Sequence, residues 1–202
     1  MRRIPAAVTM LALVGTIALG KSERSAQSVT VCINARPVMA AETLPIAEGI
    51  AREIFAKAGV HIVWKVGQPK TEIARPTIVV DIKSAVPTSF HPGALAYAQV
   101  FEGVHIAVFY DRVESTATRS IVPMLLGHVL AHEITHILEG VDRHSPEGVM
   151  KAHWSSADLA SMSYKPLPFD TSDVLLIHIG MARRSGVSLA IANLRPKAAP
   201  LP

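Results

Sequence analysis

Cysteine is nearly absent from this 202-residue chain. The single Cys32 excludes an internal disulfide, so the fold must be held by its core. Aromatic residues make up only 5%, so that core has to be built mainly from aliphatic side chains. No run of lysine and arginine concentrates positive charge on one stretch, and nucleic acid is therefore not an expected partner. No internal repeat and no long low-complexity linker divides the chain, which has the length of one domain. After the N-terminal segment no second apolar run is long enough to span a membrane.

What is present begins with Arg2 and Arg3, followed by the almost continuously apolar Ile4 to Gly20. Small residues stand at Ala18 and Gly20, and a polar stretch runs from Lys21 to Ser28. This is the order of a secretory signal peptide, residues 1–20, with cleavage between 20 and 27. It implies a secreted or extracytoplasmic protein without stable membrane association after processing, an uncleaved N-terminal anchor being the alternative. Of the net charge of +4, two charges leave with this segment, and the mature protein is only slightly basic. Residues 28–184 read as a single domain and 185–202, with three prolines, as a loosely ordered tail. A monomer is expected.

The domain reads as α/β (α+β). Alternation predicts strands over 28–36, 61–66 and 77–82, with Cys32 a buried strand residue in the first. Between the first two, Ile46, Ile50, Ile54 and Phe55 recur at helical spacing, with Gly59 as the stop. A turn-rich loop over 87–93 precedes two further strands, 94–101 and 104–110. Ser120 stands where it can cap a long helix that tolerates Pro123 in its first turn and ends at Gly140. That helix is apolar around most of its circumference and should be central and buried. Shorter helices are predicted over 156–163 and 171–184.

The chemistry lies on that central helix. His132 and His136, four residues apart, share one face and can meet one ion, and Glu133 lies one step around, within reach of a metal-bound water. Polar residues inside a buried helix need such a reason. Two imidazoles suit Zn2+, which keeps an open position for water in catalytic sites and lowers that water's pKa. Glu133 can then act as general base and return the proton to a leaving amine. A third ligand has to come from the loop after Gly140. His144 is preferred because imidazole suits zinc and Ser145-Pro146 forms a turn behind it; Asp142 is the alternative.

His132 to Met150 (HEITHILEGVDRHSPEGVM) resembles the signature of the metzincin clan of zinc metallopeptidases, in the style of its matrixin-like branch. The resemblance implies a zincin-like fold: a small twisted mixed sheet, a central active-site helix and a small helical C-terminal part. It implies His132, His136 and His144 as zinc ligands, Glu133 as base, Gly140 as the helix-ending glycine and Met150 as the methionine of a turn beneath the metal. Leu95, Ala96, Tyr97 and Ala98 resemble the clan's edge strand, which binds a peptide or protein substrate by strand addition.

The chain departs from the family pattern in three places. Gly140 is four residues after His136 and His144 eight, a two-residue expansion, and Thr135 replaces a frequent glycine. Asp142 occupies the family's third-ligand spacing, where the snapalysin type carries aspartate. No segment long enough to be an inhibitory pro-segment is visible, and Cys32 is not in such a motif.

Other residues read as structural. His128 is expected to hydrogen-bond behind the site, His105 and His153 stand without partners, and Glu139 and Glu147 read as solvated loop charges. Tyr97 and Tyr164 are possible oxyanion donors that nothing in the spacing selects. Asp158 and Asp173 are the only acids in the later helices, so no glutamate ligand is carried there. The functional expectation is a zinc metalloendopeptidase. The alternative is a non-catalytic zinc-binding module whose site is closed by a fourth protein ligand such as His128 or Asp142.

Overall fold

In the computed structural model, residues 27–36, 39–69, 77–84 and 93–185 are described. The segment expected to be a signal peptide, most of the turn-rich loop before residue 93 and the tail from 186 onward lie outside them. The elements follow as β1 (Gln27–Ala35), α1 (Thr43–Lys57), β2 (Val60–Val66), β3 (Thr77–Lys83), β4 (Ala96–Ala98), β5 (His105–Phe109), α2 (Tyr110–Thr116), α3 (Val122–Glu139), α4 (Ser156–Met162) and α5 (Thr171–Arg184). The strands form one mixed sheet in the order β2-β1-β3-β5-β4, parallel except for the antiparallel edge strand β4. No helix of the described residues is long and apolar enough to cross a membrane.

β1 lies inside the sheet, and its Val29, Val31, Cys32 and Ile33 are buried, as a near-continuous apolar run in a parallel sheet requires. α1 packs against α3. The buried face of α1 is Ala47, Ala51, Ile54 and Phe55, whereas Ile46 from the expected stripe is exposed. The helix is rolled because small residues meet at the crossing: a Cβ on Gly127 would lie 2.6 Å from Ile50 Cβ and 2.9 Å from the Ala47 carbonyl oxygen.

α3 runs through the middle of the molecule with every residue except Met124 buried. Ser120 is not its cap. Ile121 holds that position without a side-chain hydrogen bond, and the first turn is closed instead by backbone bonds to the Thr118 carbonyl. The missing cap matters little, since a cap contributes about 1 kcal/mol and each buried leucine or isoleucine about 1.5–3 kcal/mol. Leu125, Leu126, Leu130 and Ile134 are all completely buried.

Two boundaries differ from expectation. β4 is only three residues long, and Tyr110 starts α2 rather than ending β5. α2 has no side-chain cap, and its short Thr- and Val-containing sequence gives no helical stripe to read.

Candidate metal centre

α3 places His132 and His136 one turn apart on one face, and their Nε2 atoms lie 3.0 Å from each other. Gly140 takes the left-handed conformation, φ 71° and ψ 23°, and donates its N–H to the His136 carbonyl at 2.9 Å. The helix stops there and the chain doubles back. The returning loop brings the His144 ring to 5.3 Å from that of His132 and 5.1 Å from that of His136, centre to centre. One nitrogen from each of the three imidazoles falls within 4.8 Å of the others.

The backbone orients the first two rings. His132 Nδ1 faces the Val149 carbonyl oxygen at 2.9 Å and His136 Nδ1 faces that of Val141 at 3.3 Å. A carbonyl only accepts, so each Nδ1 carries the proton and each Nε2 presents a bare lone pair. Two lone pairs 3.0 Å apart repel unless a cation lies between them. Tetrahedral zinc with bonds of about 2.0–2.1 Å separates its ligand nitrogens by about 3.3 Å. The three imidazoles fit that metal in chemistry, and the His132–His136 pair fits it in spacing.

Burial first, and the neighbouring His136 second, push the His132 pKa down to about 4; His136 is also lowered, chiefly by burial. Both are thus held in the neutral form that binds metal. The Glu133 carboxyl is pushed up to about 8, first by burial and then by the charge of Asp142, against a hydrogen bond from the Ala98 N–H. Asp142 itself is exposed and stands outside the group of three converging imidazoles, acting on the site through its charge.

His128 is completely buried and both of its nitrogens are engaged. Nδ1 donates to the Met124 carbonyl at 2.7 Å, and Nε2 accepts from the Leu167 N–H at 3.0 Å. It has no lone pair left for a metal. Met150 is fully buried, and its carbonyl accepts from the Ser145 N–H at 2.8 Å, tying the histidine loop to the methionine turn. Gly148 makes that turn possible. Its φ is 74°, and a Cβ there would come within 2.2 Å of the Pro168 carbonyl oxygen.

His132, Glu133 and His144 open onto a cleft of ≈ 400 Å³ whose walls include Leu95, Ala96 and Trp154. β4 forms one rim. Leu95 O and Gln99 N bond to β5, so by antiparallel alternation Ala96 and Ala98 turn their backbone groups the other way. The Ala98 N–H reaches Glu133. Neither Tyr97 nor Tyr164 lines the cleft, whereas His153 does. His105 is not alone, being paired with Glu102 on the surface.

The residues that hold the histidine loop escaped sequence reasoning. Arg143 Nη1 donates to Asp173 Oδ1 at 2.7 Å and to Glu139 at 3.3 Å. Glu139 is therefore not a solvated charge; its side chain is fully buried, and burial, outweighing Arg143, raises its pKa to about 7. Thirty positions separate Arg143 from Asp173, and no local pattern could signal the pair. The Trp154 ring stands edge-on to that of His132, with centres 5.7 Å apart.

No protein-family model and no curated protein matches the sequence. Among solved structures, the chain resembles the crystal structure of archaemetzincin from Methanopyrus kandleri, with a TM-score of 0.50 and 17% identity over 79% of this chain and 98% of that one. The fold is zincin-like, a mixed sheet with a central helix that carries the histidine pair.

Proposed function

We propose that the protein is a zinc-dependent metalloendopeptidase, secreted after removal of residues 1–20, with His132, His136 and His144 as zinc ligands and Glu133 as general base. The observation that carries this reading is the convergence of three imidazole nitrogens within 4.8 Å beside a buried carboxyl at the floor of a cleft. The zincin-like fold supports the reaction class, and the sequence of residues 1–28 alone supports export.

Bound there, zinc would supply Lewis acidity and an acidified water. The remaining work falls to the chain. On the edge strand β4 the outward-turned backbone of Ala96 offers an extended peptide a place to pair, Ala98 being engaged by Glu133 and Val100, and such pairing sets a carbonyl over the histidines. Glu133, lining the cleft beside His132, is suited as a carboxylate to take a proton from water and return it to the departing amine. The turn at Met150 holds the histidines through its backbone, the Val149 carbonyl facing His132 Nδ1 and the Met150 carbonyl accepting from the Ser145 N–H. A closed, non-catalytic site is disfavoured because His128 has both nitrogens engaged and Asp142 lies outside the imidazole group.

The test is hydrolysis of a mixed peptide pool followed by mass spectrometry. Cleavage that a chelator abolishes and added zinc restores is expected; cleavage indifferent to chelator would refute the reading.

A further inference from the structure

Between His136 and His144 the chain is two residues longer than the spacing its family resemblance implies, and His144 is exposed on that loop. A longer exposed loop has more conformations to lose when its ligand is fixed. The residues on either side of His144 are nevertheless tied to a single carboxylate. Asp173 Oδ1 accepts from Arg143 Nη1 at 2.7 Å and from Ser145 Oγ at 2.5 Å. Asp173 is completely buried in the first turn of α5, where Oδ2 accepts the Asp170 N–H at 2.9 Å as part of a capping box. Arg143 Nη2 adds a bond to Ser145 Oγ at 3.0 Å, closing a ring around the histidine. α5 in turn cannot shift away from α3 without loss of a tight contact, since a Cβ at Gly180 would lie 1.6 Å from the Leu138 carbonyl oxygen.

We infer that Asp173 is a positioning residue for the metal site, holding His144 at the ligand position through Arg143 and Ser145. The carboxylate acts at a distance from the metal, and the flanking residues transmit its hold on both sides of the ligand. This inference rests on the zinc reading, and it says why a loop longer than the family's still delivers its imidazole to the centre.

The test is Zn2+ affinity by chelator competition, with the visible spectrum of the Co2+-substituted protein as a report on ligand geometry. Asp173→Ala is expected to weaken Zn2+ binding about 10- to 100-fold, the usual effect of losing a group that orients a ligand, and to alter the Co2+ spectrum. Asp173→Asn, which keeps an acceptor for Ser145, should fall between. Asp170→Ala removes the cap of the same helix and touches the loop only through Ser172, whose hydroxyl accepts from Arg143 Nη2 at 3.3 Å; it should lower the melting temperature and weaken metal binding far less than Asp173→Ala. If Asp173→Ala does not fold, Ser145→Ala, lacking one hydroxyl, should still weaken binding several-fold. Wild-type affinity and spectrum in the Asp173 variants, or in Ser145→Ala, would overturn the inference alone. A wild-type protein that takes up no metal would overturn the zinc reading and the inference with it.

Discussion

His132 and His136 point their Nε2 atoms at each other across 3.0 Å while their Nδ1 atoms are fixed on the carbonyls of Val149 and Val141. The two carbonyls belong to the start and the end of one loop, so the backbone that follows α3 decides which nitrogens face inward. A metal centre is the arrangement in which those opposed lone pairs become favourable. The buried surroundings also keep the rings neutral, with His132 pushed down to about 4.

Glu133→Gln removes the proton acceptor but keeps the side chain's size and its acceptor for the Ala98 N–H. It should bind zinc as the wild type does and lose peptide hydrolysis by a factor on the order of 100 or more. Zinc content by atomic absorption together with the turnover number checks both halves.

Replacing His144 and Asp142 in turn separates the two candidates for the third ligand. His144→Ala should weaken zinc binding by about 100-fold or more, beyond what loss of an orienting group costs. Asp142→Asn should change it little, roughly the size of an exposed charge effect. Chelator competition reads both, and the reverse pattern would assign the ligand to Asp142.

Glu139 predicts a pH dependence with a defined sign. Its folded pKa is raised to about 7 from 4.5, so the unfolded chain gives up the proton first as pH rises. Stability is therefore fully present below about pH 4.5 and declines as pH climbs through 7. Glu139→Gln should be more stable than wild type at pH 8, by about 1–3 kcal/mol, and no more stable at pH 4. Denaturant melts of the metal-free protein at the two pH values provide the comparison.

Gly148→Ala should damage the methionine turn. At φ 74° an added Cβ is strained, and it also meets the Pro168 carbonyl at 2.2 Å. A loss of about 1–3 kcal/mol in stability is expected, with weaker zinc binding because Val149 next to it orients His132. Thermal melts with and without zinc separate the two effects.

The central helix and its histidine pair were legible in the sequence because both depend on local spacing: apolar periodicity for α3, and the i, i+4 relation for His132 and His136. Gly140 was legible as a stop for the same reason, since a left-handed residue ends the helix there. What escaped depends on contacts between distant segments. Ile46 is exposed because Gly127 draws α1 in over Ala47 and Ile50. Glu139 is buried because Arg143 bridges it to Asp173 on α5. Spacing placed His128 near the active face, but only the fold supplies the Leu167 N–H that occupies its second nitrogen.

The most direct test of the zinc centre is X-ray absorption at the zinc edge of the loaded wild-type protein. Three imidazole nitrogens at about 2.0–2.1 Å and one water oxygen completing a four-coordinate site are expected. Four protein ligands with no water, or a carboxylate in place of the third imidazole, would contradict it.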